Sequence, residues 1–203
     1  MTYPPEPRLN GHYLFFDTET TGLPKDYKDP THPDTPHIVE LAAILTDETG
    51  RELSRLHVLV KPDGYTIPDE VAAIHKIDTA TAMQHGVPLW SAIWQFDRMC
   101  SDAKALVAHN HSFDRLIMKG AHHRLGIPHR FRHLERVCTK EMSTGICRIS
   151  KANGKGIKWP TLTEAHTFFF GVPFEGAHGA MVDTMACMRI FFEMKKRQTT
   201  EPV

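Results

Sequence analysis

The chain has 203 residues, of which 41% are hydrophobic and 24% are charged, and its 24 basic side chains equal its 24 acidic ones. This composition excludes a disordered chain, and no run of about 18 apolar residues offers a membrane span. We expect one domain over residues 1–203, with flexible ends at about 1–10 and 198–203. The first residues lack the pattern of a secretory signal, so the four cysteines are expected to be reduced thiols in the cytoplasm.

The first half of the sequence predicts three strands. An apolar and aromatic run over 12–19 is typical of a central strand that is buried on both faces. Residues 24–36 contain four prolines and are predicted to form a loop. Strands over 38–47 and 52–61 are separated only by a short turn, so they are expected to pair as an antiparallel hairpin.

The remainder of the chain predicts alternating helices and strands. Helices are expected over 68–76, 89–100, 112–125, 161–170 and 180–196, and short strands over 105–109 and 134–138. Ser112 is the expected cap of its helix, and four side chains of the second helix are predicted to be core: Trp90, Ile93, Trp94 and Phe96. A hairpin followed by strand, helix and strand indicates an α/β fold with a mixed sheet.

Positive charge is concentrated in one segment. Residues 122–158 contain nine Lys or Arg but only Glu135 and Glu141 as acids, a net charge of +7 in a chain that is neutral overall. This asymmetry predicts that nucleic acid or another anion binds near one face. A solvated basic surface is the alternative.

Two carboxylates end the first predicted strand. Asp17 and Glu19 are two residues apart, so their side chains project to the same face. At 4 Å their repulsion would reach about 4 kcal/mol with an effective dielectric near 20. A cation is therefore expected between them, although an exposed strand end would also explain two acids.

Two further aspartates face apolar helix stripes. Asp114 and Asp183 each recur with apolar residues at the helical period, so both are expected to be buried. An ionised Asp is rarely buried unless it is paired or bound to a metal. Arg115 or Arg189 could be partners, but each is displaced around its helix from the neighbouring Asp.

One divalent metal centre would satisfy all four acids. Oxygen ligands favour Mg²⁺ or Mn²⁺ over zinc, and two such ions about 3.5–4 Å apart are typical of phosphodiester hydrolysis. His178 lies between Gly176 and Gly179, so it is expected on the loop before the last helix. From there a neutral imidazole could take a proton from water.

Three ordered motifs resemble those of the DnaQ-like, or DEDD, 3′→5′ exonucleases. These are residues 16–22 (FDTETTG), 108–114 (AHNHSFD) and 178–183 (HGAMVD). The third motif has a histidine where other members have a tyrosine nearer the last Asp, so the chain resembles the DEDDh branch of the family. Residues 36–41 and 74–77 also look like intervening family segments. Within the family, the chain is most similar to the proofreading (epsilon) subunit of bacterial DNA polymerase III and its stand-alone relatives.

The resemblance implies a ribonuclease H-like fold, with a five-stranded mixed sheet between helices. It also implies that Asp17 bridges two ions, that Glu19 and Asp183 hold the ion carrying the attacking water, and that Asp114 helps to hold the second. His178 is implied as the general base.

A substrate-binding set follows from the same resemblance: Thr18, Thr20, Gly22, Leu23, His75, Asn110 and Phe113. In this interpretation Leu23 lies beside the terminal base, His75 and Phe113 line the terminal nucleotide pocket, and Asn110 lies near the 3′-terminal sugar. Plain packing is the alternative for Leu23, His75 and Phe113.

The resulting hypothesis is a two-metal exonuclease of proofreading or repair type. It would release nucleoside 5′-monophosphates from single-stranded 3′ ends, with DNA favoured over RNA, and any polymerase partner would be a separate chain. The alternatives are an RNA exonuclease, a non-catalytic nucleic-acid-binding or polymerase accessory module, and a zinc-binding protein that uses histidines 122, 123, 129 and 133. The long basic stretch 139–160 is either a strand-guiding loop or an exposed insertion.

Overall fold

Five strands form one sheet at the centre of the computed structural model, which describes residues 11–200 and the side chains of 11–198. The strands are β1 Tyr13–Thr20, β2 Ile38–Thr46, β3 Glu52–Leu59, β4 Ala105–Ala108 and β5 Glu135–Cys138. Their order across the sheet is β3-β2-β1-β4-β5. β1 and β3 pair with β2 antiparallel, while β4 pairs parallel with both β1 and β5. The mixed five-stranded sheet and the hairpin are as predicted.

Helices cover both faces of this sheet. They are α1 Asp69–His75, α2 Thr79–His85, α3 Leu89–Ser101, α4 His111–Arg124, α5 Thr139–Cys147, α6 Leu162–Phe170 and α7 Ala180–Thr200. Alternation along β1 explains the two layers: Phe16 packs into the core with α3 and α4, whereas Phe15 packs against Phe191 of α7. α5 and α6 pack beside α7.

Two helices were not predicted from the sequence. α2 begins after Asp78, whose side chain accepts a hydrogen bond from the Thr81 N–H at 2.7 Å, a cap that a short weakly apolar segment needs. α5 follows β5 directly and packs on α6 and α7. The interpretation of 139–160 as a loop is therefore wrong for residues 139–147.

One prediction about a helix face and one about a helix cap were also wrong. Trp90 and Trp94 are 63% and 57% exposed, because only the other face of α3, with Ile93 and Phe96, points into the core. Ser112 does not cap α4, which begins one residue earlier after Asn110 in the left-handed conformation.

The last helix extends further than the sequence predicts. α7 runs to Thr200, four residues beyond the predicted end of this helix at 196. The predicted flexible ends lie outside the described residues over 1–10 and 201–203, and flexibility over 198–200 stays a prediction. Within residues 11–200, no helix is both long and apolar enough to cross a membrane.

Candidate active site

The candidate site lies where β1 extends beyond β4. Parallel pairing stops at Phe15 and Val107, so the end of β1 has no strand on that side. α4 begins there, and buried Asp114 accepts hydrogen bonds from the Thr18 N–H at 3.1 Å and the Thr18 hydroxyl at 2.9 Å. The Asp114 carboxylate thus replaces the missing strand partner of β1.

Three carboxylates converge on the other side of β1. Asp17 and Glu19 project toward α7, and one oxygen from each lies within 4.8 Å of the other and of an oxygen of Asp183. The Asp183 Oδ1 atom is buried and has no hydrogen-bond partner. A buried carboxylate oxygen without a partner is costly, so a bound cation would stabilise this group.

No basic side chain supplies that cation among the described residues. None of the seven ion pairs found there includes any of the four acids. Arg115 lies over the Phe131 ring and Arg189 lies over the Phe170 ring, at 5.8 and 4.5 Å from the ring centroids. The alternative that these arginines pair with the aspartates is therefore wrong.

Burial and mutual repulsion make the four acids weak. Burial raises the pKa of Glu19 to about 7, and the Asp183 and Glu40 carboxylates add to the shift. The pKa of Asp17 lies well above its usual range, because of burial first and then repulsion by Asp114, Asp183 and Glu19. Burial likewise raises the pKa of Asp183 to about 6.

Asp114 is set apart from this group. Burial raises its pKa to about 7, although the two hydrogen bonds from Thr18 oppose the shift. Its oxygens are not in the set within 4.8 Å, which contains Asp17, Glu19 and Asp183. The oxygen-only donor set, its charge and the unpartnered Asp183 Oδ1 fit a hard divalent cation held by these three residues.

His178 lies on the loop that leads into α7, as predicted. It is exposed, and its backbone has φ 69°, a left-handed conformation. Its backbone and its imidazole both lower the pKa of Asp183, against the rise that burial causes, so it lies near that carboxylate. The loop therefore carries an accessible imidazole beside the carboxylates.

The residues that follow Glu19 form an exposed turn. Thr20 is buried, and its hydroxyl donates to the Gly22 carbonyl at 2.7 Å. Gly22 has φ 151°, and no atom lies within 4 Å of the position that a Cβ would occupy, so the backbone is open there. The Leu23 side chain is 76% exposed, which excludes the packing alternative for it.

The remaining predicted binding residues lie on α1 and at the start of α4. His75 is buried, its Nδ1 accepts from the Ile77 N–H at 3.2 Å, and it lines a cavity of about 430 Å³. Phe113 is half-buried against the core. Asn110 precedes α4 with φ 77°, and its side-chain oxygen accepts from Lys140.

Glu40 is a site residue that the sequence interpretation missed. It is buried on β2 opposite Glu19. Its Oε2 accepts from the Ala180 N–H at 2.8 Å, and its Oε1 lies 2.6 Å from His57 Nε2. The sequence did contain a signal for Glu40, because it is the only acid in the otherwise apolar run of β2.

The predicted histidine cluster does not form a metal site. The His122 ring contacts the Asp97 carboxylate at 3.1 Å and the Met118 carbonyl at 2.7 Å, while His129 stacks on Phe131. In the described part of the chain, only Asp17, Glu19 and Asp183 form a group of three His, Cys, Asp or Glu side chains close enough to share one metal ion. The zinc-binding alternative is therefore wrong for these histidines.

Solved structures share this fold. E. coli exonuclease I in complex with a dA16 oligonucleotide is 21% identical with a TM-score of 0.75, covering 94% of this chain and 42% of that one. The zinc ion bound form of the E. coli exonuclease I complex with single-stranded DNA is 22% identical with a TM-score of 0.72, covering 94% and 41%. Exonuclease I from Methylocaldum szegediense is 19% identical with a TM-score of 0.73, again covering 94% and 41%.

The present chain thus spans about two fifths of the length of these structures, and the likeness shows the ribonuclease H-like fold. No curated protein sequence matches it significantly. The model of the exonuclease (RNase T) family matches residues 14–191, which include all three motifs. The chain therefore belongs to the RNase T exonuclease family of DnaQ-like proteins.

Proposed function

We propose that this protein is a metal-dependent 3′→5′ exonuclease that acts on single-stranded DNA and releases nucleoside 5′-monophosphates. The observation that carries the proposal is the group of Asp17, Glu19 and Asp183, with an unpartnered buried oxygen, beneath the exposed His178. A protein that only bound nucleic acid would have no use for buried acids that repel its phosphates. Membership of the exonuclease family agrees with this chemistry.

The acids would hold two divalent ions, Mg²⁺ or Mn²⁺. Asp17, Glu19 and Asp183 would hold one ion, and Asp114 would help to hold the other. When bound, such ions supply Lewis-acid stabilisation of the charge that develops on the scissile phosphodiester. Thr18 holds Asp114 in place through its two hydrogen bonds.

His178 is the proposed general base. Its imidazole takes a proton from water, the water oxygen bonds to the terminal phosphorus, and the bond from phosphorus to the 3′ oxygen of the preceding nucleotide breaks. The leaving 3′ oxygen takes a proton from solvent water, so the products are a nucleoside 5′-monophosphate and a strand whose new end is a 3′ hydroxyl. The influence of His178 on the pKa of Asp183 supports this role, since the two residues must lie close together.

The terminal nucleotide would be held around this centre. The exposed Leu23 would wedge beside its base, and Phe113 would stack on it, a contact worth about 1–3 kcal/mol for any base. Asn110 would contact the sugar, and His75 would line the pocket. Thr18, Thr20 and Gly22 would shape the turn against which the nucleotide lies.

The test is a 5′-labelled single-stranded DNA incubated with the protein and Mg²⁺, Mn²⁺, Zn²⁺ or a chelator. We expect a ladder that shortens from the 3′ end with Mg²⁺ or Mn²⁺ and an intact strand with the chelator. An intact strand with every metal, together with salt-sensitive binding, would instead favour a binding module. A faster reaction on RNA of the same sequence would favour the RNA exonuclease.

Substitutions separate metal binding by Asp17 from proton transfer by His178. Asp17→Ala should abolish metal binding and lower the rate by at least about 10³-fold. His178→Ala should spare metal binding and lower the rate by about 10²–10⁴-fold, the usual contribution of a general base. His123→Ala is the matched control, because His123 is exposed near the far end of α4. A normal rate in His178→Ala would remove His178 from the mechanism.

A role in proofreading or repair, a polymerase subunit in a separate chain and a cytoplasmic location remain predictions. Copurification from cell extracts with a tagged form of the full chain would test the polymerase partner. A polymerase subunit retained at high salt would support it.

A further inference from the structure

Trp159 is an exposed aromatic side chain close to the candidate site. It is 62% exposed and follows a hairpin closed by the bridge between Ser150 and Ile157. An exposed indole can bury a large apolar area on a partner and can stack on an aromatic ring.

One face of the Trp159 indole is covered by a cation. The Lys140 Nζ lies 4.7 Å from the ring centroid, and the same ammonium donates to the Asn110 side-chain oxygen. The solvent-exposed parts of the Trp159 ring are therefore its opposite face and its edges. We refer to Trp159, Lys140 and Asn110 together as the tryptophan platform.

The backbone around the tryptophan platform is fixed. The Lys158 N–H donates to the Ile149 carbonyl at 2.8 Å, and the Lys158 ammonium pairs with Glu164 at 2.6 Å. On the other side of Trp159, the His109 ring lies 3.2 Å from the Pro160 carbonyl and 3.0 Å from the Thr139 hydroxyl. Because the backbone on both sides of Trp159 is held by these contacts, this residue loses little conformational entropy when it binds a partner.

The surroundings of Trp159 favour an anionic partner. Residues 148–158 contain Arg148, Lys151, Lys155 and Lys158 and no acid. Of these, Lys158 is paired with Glu164. An aromatic face beside basic side chains is the combination that binds single-stranded nucleic acid without sequence preference.

The tryptophan platform is joined directly to the carboxylate site. Asn110 precedes α4, and Asp114 lies four residues further, about 6 Å along the helix axis. A strand whose 3′ end reaches the carboxylates could therefore pass over Trp159 with a nucleotide on its 5′ side.

We propose that the exposed face of Trp159, backed by Lys140, stacks on a base upstream of the terminal nucleotide of a single strand. The basic hairpin over 148–158 accompanies it by contacting the phosphates. This binding site rests on the proposed function for the direction of the strand, and it adjoins the pocket for the terminal nucleotide, with which it shares Asn110.

The experiment measures binding without degradation. In the Asp17→Asn background with Mg²⁺, fluorescence anisotropy gives the Kd of a labelled oligothymidylate of about ten nucleotides. Trp159→Ala should raise that Kd by about 5- to 150-fold, the equivalent of 1–3 kcal/mol of stacking. Trp159→Phe should restore most of the affinity.

Trp94→Ala is the matched control. Trp94 is also exposed, at 57%, and also lies beneath a cation, with Arg98 5.1 Å from its ring centroid. It belongs to α3, in the helix layer on the other face of the sheet from α6 and α7. Its Kd should stay within about twofold of the background value, since it offers no contact to the same strand.

Two further readouts identify stacking as the cause. Abasic sites in place of the upstream bases should weaken binding to the background protein and have no added effect in Trp159→Ala. The slope of log Kd against log salt should not change in Trp159→Ala, because stacking releases no counterions. A smaller slope would show that the substitution had disturbed phosphate contacts of the basic hairpin, and would overturn the stacking proposal.

An unchanged Kd in Trp159→Ala overturns this inference while the 3′ ladder of the wild-type protein leaves the exonuclease in place. Binding that depends on Trp159 in a protein that shortens no strand supports the platform and overturns the exonuclease. The two failures are thus distinguishable.

Discussion

Glu40 has two opposing effects at the level of a single residue. Its carboxylate binds the first N–H of α7, the helix that carries Asp183, and a carboxylate at a helix N-terminus is stabilising. It also faces Glu19 across the strand pair and adds to the repulsion within the acidic group. A bound metal would offset the repulsion and leave the helix contact as the larger effect.

We therefore expect Glu40→Ala to destabilise the metal-loaded protein by about 1–3 kcal/mol, through the loss of a charged hydrogen bond. Thermal denaturation with saturating Mg²⁺ would show this as a fall of about 2–4 °C in Tm per kcal/mol. Glu40→Gln keeps an acceptor for Ala180, so its kcat and Tm should lie nearer to wild type. Equal losses in the two variants would show that Glu40 acts through its charge and not by positioning α7.

At the level of elements, α4 lies unusually close to the loop that follows β1. Gly120 faces this loop, and an added Cβ would come within 2.7 Å of Thr35 Cγ2 and 3.2 Å of the Pro30 carbonyl. Arg124 of the same helix donates to the Thr35 and Pro36 carbonyls. These contacts fix the loop beside β1 and the carboxylates.

Gly120→Ala should therefore lower stability by about 1–3 kcal/mol, since the clash with buried Thr35 exceeds the gain of roughly 1 kcal/mol in helix propensity. Gly145→Ala on α5 is the control, because nothing lies within 4 Å of its added Cβ. Urea denaturation should show a stabilised Gly145→Ala and a destabilised Gly120→Ala. Stabilisation of both would mean that α4 can move away from the loop.

At the level of the whole molecule, the acidic group links stability to pH and metal. The pKa values of Glu19 and Asp114 are about 7 and that of Asp183 is about 6, against roughly 4 for such acids in an unfolded chain. Burial lowers the pKa values of His37, His109 and His111 to about 4, so these groups raise stability as pH rises to about 6.5. The three acids bind more protons in the folded protein than in the unfolded chain between about pH 4 and 7, so the stability that they contribute falls as pH rises. The stabilisation is fully present below about pH 4 and is lost above about pH 7.

With a chelator, Tm should therefore fall between about pH 6.5 and pH 8, where the opposing change from the histidines is largely complete, and Mg²⁺ or Mn²⁺ should restore it at the higher pH. Asp17→Asn should reduce both the fall and the response to metal, because it removes one of the repelling charges. Scanning calorimetry across this range measures all three quantities. A metal-free Tm that rises between about pH 6.5 and pH 8 would contradict the burial of ionisable acids in this group.

Local sequence patterns were sufficient to predict the order of the strands along the chain, the hairpin and the four acids of the candidate site. Period-two and helical patterns fix which face of an element is apolar, and Asp17, Glu19, Asp114 and Asp183 stood out because they interrupted or ended such faces. The loop position of His178 followed from its flanking glycines. These patterns predicted five strands, and the family resemblance implied the same number for the sheet.

How these parts meet depends on contacts that no local pattern contains. The bond from Thr18 to Asp114 joins residues 96 apart, and that from Ala180 to Glu40 joins residues 140 apart. The exposure of Trp94 and Trp159 likewise depends on which neighbours cover them, and α5 depends on packing against α6 and α7. Periodicity shows that a face is apolar but not what covers it, because that is set by contacts between segments distant in the chain.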